Sequence, residues 1–359
     1  MIRGLAHFSR GSKFTSLVFV VVLVGAAEAN AQPVAVSPYT LQTFTGVPPT
    51  GATQPDDLAI SADGKDLWIG YGNGVDTTGK GGPSNLVEYE ISSGTVLQNL
   101  SIPGHLDGLK INPTDNRVWA TENEDGNPTL AIVNPKNGTF KIFTFAPELL
   151  TGGMDELAFP LTDASEAFIV ASSQTDITKP VIVQLTGSPK KTNTPLTQFL
   201  PGNPPSVLNV VTNTVETSDQ IGDPDSMTLD PAGELVLDNR SDDSLYIVRD
   251  PRAVNPVLRV PLTLGGAAVE VNDTIFTAST FGVSSTAGAI FITDTTANAI
   301  YILTKPYFPS NEVYTAANVE NVVGLVDLNR GLVTPVVTGF QGVHGLAFSP
   351  TVVGIAASR

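Results

Sequence analysis

Short apolar runs alternate with polar turn residues along most of this chain. In the first clear unit, the run Leu58–Ile60 is followed by a polar turn and then by LWIG, LVEYEI and VLQNL. Runs of this length, rich in β-branched and aromatic side chains and bounded by Gly, Pro, Asn and Asp, predict β-strands. Beyond residue 31, no stretch of twelve or more residues keeps a helical period free of turn residues. The pattern therefore predicts an all-β protein.

Each unit opens with one short signature, in which a polar residue stands two positions before Leu, Met or Ile. The signatures are 51, 48, 70, 48 and 71 residues apart, and Trp68 and Trp119 occupy the same place in the first two units. Units of about 50 residues with four short strands are typical of β-propellers, whose blades surround a central channel. The six signature residues are Asp56, Asp107, Asp155, Asp225, Asp273 and His344.

Six signatures predict six blades. We assign the runs AIFIT and AIYIL to the Asp273 unit, which leaves only HGLAFS and VVGIA in the last unit. The segment VAVSPYTLQTFTG, before the first signature, can supply a missing strand, and an N-terminal strand in the last blade would close the ring and remove exposed sheet edges. Seven blades fit the pattern if AIYIL and GLVDL belong to different blades.

The two longest spacings indicate insertions of about 20 residues each. One insertion, residues 187–220, is rich in Pro and Asn and is interpreted as a long loop, and the other covers residues 304–321. Long loops on a β scaffold often carry function, and linkers have the same composition, so the pattern favours neither role.

The first 31 residues have the features of a secretory leader. Arg3, Arg10 and Lys13 precede the apolar run Leu17–Ala27, and a small-x-small cleavage site ends at Ala31. An uncleaved anchor would need about 20 apolar residues, more than this run provides. We therefore expect export to the periplasm or the medium, with residues 32–359 forming one propeller domain.

Charge and composition narrow the range of partners. The formal net charge is −16 and becomes −18 without the leader, and no basic cluster is longer than Lys190-Lys191. Such a surface repels phosphate backbones, which argues against nucleic-acid binding. The chain has no Cys, so it has neither disulfides nor thiolate ligands. We expect a monomer that contacts no membrane after cleavage and binds a small-molecule or other extracellular ligand.

Equivalent positions of the innermost strands lie on one circle around a propeller axis, so the signature carboxylates should converge there. Two unit charges about 8 Å apart repel by roughly 2 kcal/mol at an effective dielectric of about 20. Such a ring needs protons or a cation, and Ca²⁺ suits it because this ion accepts 6–8 oxygen ligands in irregular geometry. Alternatively, each Asp only accepts hydrogen bonds from turn N–H groups. The predicted ligands are Asp56, Asp107, Asp155, Asp225 and Asp273.

His344 is the only His within a signature, and His105 stands two residues before Asp107. A His beside carboxylates can be a general base or a metal ligand, or simply a polar residue held by one hydrogen bond in a turn. The chain has no GxSxG elbow, Walker loop, Rossmann fingerprint or HExxH motif. With only two Trp residues, it also gives little support to a quinone site.

The segments DDLAISADGKDLWIG, from Asp56, and PDSMTLDPAGELVL, from Pro224, resemble repeats of the senescence-marker-protein/gluconolactonase family. The resemblance implies a six-bladed calcium-dependent lactonase, and it extends equally to NHL-type and streptogramin-lyase-like propellers. Apart from Ser in the place of the first Gly, the second segment follows the family pattern P-D-G-M-x-x-D-x-x-G-x-L, in which the first Asp is both metal ligand and general base. That residue would be Asp225.

The same resemblance places three further residues by unit. Asp155 stands where the family has a ligand Asn, Asp107 where it has a pocket Asn, and Asp56 where it has a first-blade Glu. All three differ in type from the family residue. An Asp supplies an oxygen ligand as Asn does, but an ionised Asp adds charge and cannot donate a hydrogen bond to a substrate.

These observations lead to two hypotheses of different classes. In the first, a cation at the channel polarises the carbonyl of a lactone or ester while Asp225 or His344 activates water. In the second, the propeller is a non-enzymatic extracellular binding module and the Asp ring is structural. The fold alone does not decide between them.

Overall fold

The computed structural model describes residues 32–146, 149, 152–160, 165–171, 176–249, 257–277 and 288–350. These residues form six sheets, each with a core of four antiparallel strands. The first strand of each sheet contacts the first strand of the next, and that of the sixth contacts that of the first. The protein is therefore an all-β propeller of six blades, as the repeat predicts. The predicted leader and the VVGIA run lie outside the described residues.

Blades 1 to 3 follow the chain in simple order. Blade 1 comprises β3 (Pro55–Ile60), β4 (Asp66–Tyr71), β5 (Pro83–Glu90) and β6 (Val96–Pro103). Blade 2 comprises β7 (Leu106–Ile111), β8 (Val118–Glu122), β9 (Thr129–Asn134) and β10 (Thr139–Thr144). Blade 3 comprises β11 (Leu157–Ala158), β12 (Glu166–Val170), β13 (Pro180–Thr186) and β14 (Thr197–Pro201).

Blades 4 to 6 carry additional or exchanged strands. Blade 4 comprises β17 (Pro224–Leu229), β18 (Leu235–Asn239), β19 (Ser244–Val248) and β20 (Val257–Pro261), extended by β15 (Val207–Asn209) and β16 (Thr214–Glu216). A 3₁₀ turn, Arg240–Asp242, follows β18. Blade 5 comprises β23 (Asp273–Phe276), β26 (Val313–Ala317), β27 (Val322–Asp327) and β28 (Leu332–Thr338), extended by β21 (Thr263–Leu264), β22 (Ala267–Ala268) and β1 (Val34–Ala35). Blade 6 comprises β29 (Val343–Ser349), β24 (Gly288–Asp294), β25 (Ala299–Lys305) and β2 (Thr40–Thr43).

The hairpin β24–β25 corrects the assignment of AIFIT and AIYIL to the Asp273 unit. Its strand β24 pairs with β29, in the blade of His344, while β23 pairs with β26. The chain thus leaves blade 5 after one strand, forms the middle of blade 6 and returns to complete blade 5. AIYIL and GLVDL do lie in different blades, yet the number of blades stays six.

The exchange was hidden in the sequence because the two candidate hairpins have the same apolar pattern. Side chains of β24 alternate between two buried faces. Ile290 and Ile292 pack against blade 5, whereas Ala289 and Phe291 pack against blade 1. A strand buried on both faces fits any central position of a propeller, so its pattern does not identify its blade.

The N-terminal segment closes the last blade, as predicted. Strand β2 pairs with β25 as the outermost strand of blade 6, while β1 pairs with β28 of blade 5. The interpretation of residues 187–220 as a loop was wrong in part, because β14 completes blade 3 and β15 runs parallel to β20 at the edge of blade 4. In the second insertion, β26 is a central strand of blade 5.

Six hydrophobic clusters, one between each pair of neighbouring blades, hold the ring together. The cluster between blades 6 and 1 joins Phe291 and Ile302 to Leu58 and Tyr89. Trp68 and Trp119 lie at equivalent places, since each pairs with the third residue after its signature Asp. Because each sheet buries both faces against its neighbours, the first strands are held at fixed positions around the channel.

A buried lysine fastens the N-terminal segment to blade 5. The ammonium of Lys305, whose side chain is 8% exposed, contacts the Glu312 carboxylate. It also lies 5.1 Å from the ring centre of Tyr39, 4.9 Å from that of Phe308 and 5.7 Å from that of Tyr314. A cation enclosed by three aromatic rings and one carboxylate contributes to stability only while its partners stay together.

Among the described residues, no helix is long and apolar enough to cross a membrane.

Replacing this lysine should therefore weaken closure of the ring. Lys305→Met leaves the carboxylate of Glu312 without its cation, and we expect the free energy of unfolding to fall by about 2–4 kcal/mol in urea titrations. The matched control is Lys65→Met, which breaks the exposed pair with Asp63 and should cause no measurable change. Equal losses of unfolding free energy in the two variants would contradict the role of Lys305 in holding the N-terminal segment to blade 5.

Candidate functional site

The first strands carry two stacked rings of side chains at the channel. In four of the six first strands, the pairing with the second strand skips two residues at the signature, as between Pro55 and Leu58. Such a bulge redirects side chains, and here two consecutive residues from each blade line the channel cavity. The upper ring is Asp56, Asp107, Asp155, Asp225, Asn272 and His344, and the lower ring is Asp57, Gly108, Glu156, Ser226, Asp273 and Gly345.

Blade 5 enters these rings one residue earlier than its signature predicts. Oδ2 of Asp273 accepts a hydrogen bond from the Leu346 N–H of the next blade, as Oδ2 of Asp57 does from Leu109. Asp273 is therefore the lower-ring residue, and Asn272 occupies the upper position, where its Nδ2 donates to Asp225 Oδ2 at 2.6 Å. The signature was placed one residue late because Thr274 stands where the other blades have Leu or Met.

The lower ring contains its own counter-charge. The Lys110 ammonium contacts the Glu156 carboxylate and lies 3.6 Å from Asp57 Oδ2. Burial alone would lower the pKa of Lys110, but the charges of Asp57, Glu156 and Asp273 outweigh it and raise this pKa. Asp273 also accepts a 2.7 Å hydrogen bond from Ser226 Oγ. The chain therefore supplies both the anions and the cation of this ring.

Among the described residues, no Lys or Arg side chain forms an ion pair with Asp107 or Asp155 of the upper ring. Asp155, which is 5% exposed, and Asp107 each bury an Oδ2 that has no hydrogen-bond donor among the described residues. A hydrogen bond between the two carboxyls would require one of them to be protonated, because ionised carboxylates accept but do not donate. Buried carboxylate oxygens without a donor are unfavourable in the absence of a proton or a cation.

Burial and mutual repulsion also raise the pKa values of two carboxyls in the upper ring. Burial raises the pKa of Asp107 well above its usual range, and the charges of Glu124, Asp56 and Asp225 raise it further. Burial likewise raises the pKa of Asp155, with the charge of Asp107 as the next cause. A bound cation would reverse these shifts, since it favours the ionised forms.

Glu124 and His105, which lie in loops between strands, also approach the upper ring, and neither was among the predicted ligands. Asp107, Glu124 and Asp155 each place one carboxylate oxygen within 4.8 Å of the others, and so do Asp56, His105 and Asp107 with their ligand atoms. Burial and the charges of Asp225 and Asp56 raise the pKa of Glu124 to about 8. Glu124 lies two residues after the end of β8, in the segment ENEDG, and no repeat of that position in other blades marked it.

His344 is ion-paired, and the general-base role stays a prediction. Its Nδ1 contacts Asp56 Oδ1. Burial lowers the pKa of His344, but the charges of Asp56, Asp225 and Glu124 prevail and raise it to about 9. Burial would raise the pKa of Asp56, yet the charge and hydrogen bond of His344 lower it overall. The imidazole is therefore protonated at neutral pH and contributes positive charge to the ring.

Asp225 is held by two neighbouring donors. Besides the Asn272 amide, the Arg240 guanidinium lies 3.6 Å from its Oδ2, and Arg240 in turn bonds Glu270 at 2.7 Å. Burial raises the pKa of Asp225, while the hydrogen bond to Asp155 and the charges of Arg240 and His344 oppose the rise. A carboxylate oriented in this way can accept a proton from a water in the channel.

No family model matches the chain, and no curated protein matches it either. Among solved structures, a protein of unknown function from Bacteroides caccae is 10% identical, with 82% of this chain and 86% of that chain covered and a TM-score of 0.45. A streptogramin B lyase is 14% identical over 86% of this chain and 90% of its own, with a TM-score of 0.44. The virginiamycin B lyase of Staphylococcus aureus is 12% identical over 81% and 86%, also with a TM-score of 0.44.

The class that the fold and the site define is a six-bladed β-propeller with a buried acidic cluster where its first strands meet. At these identities and scores, the comparisons carry no argument about activity. The functional assignment rests on the residues of the channel.

Lys110 should be essential to the lower ring. Lys110→Met leaves Asp57 and Glu156 without their cation, and we expect a loss of about 3–5 kcal/mol in the free energy of unfolding. Adding Glu156→Gln to that variant should recover part of the loss, because one buried charge is removed. The measurement is chemical denaturation of the single and double variants. A double variant no more stable than Lys110→Met would contradict the pairing.

Asp238, in strand β18 of blade 4, is another buried acid. It is 1% exposed, and neither of its carboxyl oxygens has a hydrogen-bond partner among the described residues. At the same position of their second strands, Thr121 and Thr293 each donate Oγ1–H to a carbonyl of the next blade. Burial, together with the charge of Asp273, raises the pKa of Asp238 well above its usual range.

Asp238→Thr should therefore stabilise the protein, and the gain should depend on pH. A carboxyl whose pKa is raised in the folded state binds more protons folded than unfolded, so its contribution falls as pH rises above about 4, the value in unfolded chains. We expect the difference in unfolding free energy between variant and wild type to grow from pH 4 to pH 8. A difference independent of pH would show that Asp238 is not a buried neutral acid.

Proposed function

We propose that this propeller is exported and binds a divalent cation at the upper ring, through Asp107, Glu124 and Asp155. The single observation that carries the proposal is the contrast between the two rings. In the lower ring Lys110 pairs with Glu156 and Asp57, whereas the upper ring buries two carboxylate oxygens, Oδ2 of Asp107 and Oδ2 of Asp155, that have no hydrogen-bond partner among the described residues. The cations near the upper ring pair with other carboxylates, His344 with Asp56 and Arg240 with Asp225 and Glu270.

Ca²⁺ fits the donor set best. The three proposed ligands supply only carboxylate oxygens, which hard cations prefer, and Ca²⁺ tolerates irregular arrangements with water completing its shell. Mg²⁺ demands a regular octahedron and keeps most of its waters. Asp155 and Asp107, which stand in place of two Asn residues of the gluconolactonase-like pattern, favour a cation by adding negative charge.

Hydrolysis of a lactone or ester is the second candidate function, and the environment of Asp225 favours it. A bound cation would supply Lewis-acid polarisation of a carbonyl oxygen. Asn272 and Arg240 orient the Asp225 carboxylate beside the proposed site, where it accepts a proton from water. The resemblance of PDSMTLDPAGELVL to the lactonase motif, with Asp225 in the position of its base, supports the same role.

Cation binding is tested directly by calorimetry on chelator-treated protein. We expect Ca²⁺ to bind and to raise the thermal unfolding midpoint, since a ligand that binds only the folded state stabilises it. Glu124→Gln and Asp155→Asn should each weaken Ca²⁺ binding by at least about tenfold. Asp63→Asn, in an exposed turn of blade 1, is the matched control and should bind as wild type does. Unaltered unfolding with excess Ca²⁺ would contradict the proposal.

The hydrolase is tested with a panel of lactones and aryl esters, with and without Ca²⁺. We expect turnover that requires Ca²⁺ and falls by roughly 100-fold or more in Asp225→Asn, as for removal of a general base. His344→Gln should lower turnover less, because that imidazole is protonated. If no substrate is turned over while Ca²⁺ still binds, the protein is a non-enzymatic binding propeller and the Ca²⁺ site stands.

A further inference from the structure

The geometry points to a second metal site beside the first, formed by Asp56, His105 and Asp107 and suited to a borderline divalent ion such as Mn²⁺ or Zn²⁺. The inference rests on the proposed cation site, because both sites use Asp107. The ligand atoms of the three residues lie within 4.8 Å of one another, as do those of Asp107, Glu124 and Asp155. Asp107 would thus join two ions as a shared carboxylate.

The support around His105 is what a metal ligand requires. Its Nδ1 lies 3.0 Å from the carbonyl oxygen of Val75, an acceptor, so Nδ1 carries the proton and donates. That hydrogen bond fixes the tautomer in which the other ring nitrogen keeps a lone pair. Histidines that bind metals nearly always donate their second N–H in this way, to a carboxylate or a backbone carbonyl. Nε2 is therefore the nitrogen of His105 that is available to bind a metal ion.

The loop that carries Val75 is itself fixed over the channel. Thr77 Oγ1 donates to the Asp125 carboxylate at 2.5 Å, and the Asp125 N–H donates back to the Thr77 carbonyl. A side chain at Gly72 would begin 3.3 Å from the imidazole, so the glycine leaves room for the ring. The imidazole is thus held between two blades before any ion arrives, which lowers the entropy cost of binding.

The other two ligands are also prepared. Oδ1 of Asp56 contacts His344, an outer partner that orients the carboxylate, as metal-bound carboxylates usually require. Asp107 contributes a buried oxygen that has no donor among the residues the structure describes. One imidazole nitrogen with two carboxylates is a donor set for Mn²⁺ or Zn²⁺ rather than for Ca²⁺, which prefers oxygen alone.

The charge of the upper ring leaves room for two ions. The ring and its loop bring together five carboxylates, whose mutual repulsion two divalent ions would offset better than one. The arrangement of two neighbouring sites that share a carboxylate is the general form of two-metal centres. The carboxylates are Asp56, Asp107, Glu124, Asp155 and Asp225.

The test uses the mature chain, stripped of metal, saturated with Ca²⁺ and then titrated with Mn²⁺. We expect one Mn²⁺ per chain beyond the Ca²⁺, with coupling to nitrogen-14 in pulsed electron paramagnetic resonance. His105→Gln should abolish the coupling and weaken Mn²⁺ binding by at least about tenfold, while Ca²⁺ binding stays as in wild type. A metal-free unfolding curve establishes that this variant is folded.

Three further variants make each outcome decisive. His344→Gln should keep the nitrogen coupling, Asp56→Asn should weaken Mn²⁺ binding and keep the coupling, and Glu124→Gln should lose Ca²⁺ while Mn²⁺ remains coupled to nitrogen. Failure to take up a second ion, uptake without nitrogen coupling, or coupling that survives His105→Gln would overturn the second site. Loss of Ca²⁺ binding alone, with nitrogen-coupled Mn²⁺ intact, would overturn only the first site.

Discussion

Repulsion between buried carboxylates is the constraint on which the centre of this propeller depends. Six first strands meet around a narrow channel, and each brings two consecutive residues to it. Two unit charges about 8 Å apart repel by roughly 2 kcal/mol at an effective dielectric of about 20. In the lower ring Lys110 offsets this repulsion, whereas no Lys or Arg among the described residues pairs with Asp107 or Asp155 in the upper ring. The chain thus supplies the compensating positive charge in the lower ring, whereas the upper ring needs protons or a bound cation.

The fold holds the carboxylates where they would not stay by themselves. Clusters of apolar side chains between every pair of blades fix the first strands, and the bulges at the signatures turn two residues per strand inward. The close approach of the strands leaves no room for side chains at Gly108 and Gly345, whose Cβ atoms would lie 2.5 and 2.6 Å from the neighbouring strand. Each Å² of apolar surface buried across these interfaces stabilises the fold by about 25 cal/mol, and this gain offsets the repulsion between the carboxylates at the centre.

The all-β class, the number of blades and closure by an N-terminal strand followed from the spacing of the signatures. The site was less predictable because a one-residue shift decides which ring a side chain joins. Asp273 and Asn272 are adjacent, and only the hydrogen bond to Leu346 distinguishes them. The acids of the lower ring were visible as the residues after Asp56 and Asp155, but nothing in the pattern gave their partner, Lys110.

Residues from loops were beyond the reach of the repeat. Glu124 and His105 enter the site from turns that do not recur in other blades, so no spacing marks them. The exchange of the hairpin β24–β25 was hidden for a related reason, since strands buried on both faces have interchangeable sequences. Sequence periodicity therefore locates blades well, whereas the chemistry of the channel depends on register, loops and long-range pairing.

The most direct test of the contrast between the rings is a crystal structure of the protein grown with Ca²⁺, with the ion located by its anomalous scattering. The account predicts a peak at the upper ring, with oxygens of Asp107, Glu124 and Asp155 about 2.3–2.6 Å from it. It also predicts no peak in the lower ring, where the Lys110 ammonium remains against Glu156. A peak beside Lys110, or an upper ring in which Asp107 and Asp155 approach each other with no ion between them, would contradict it.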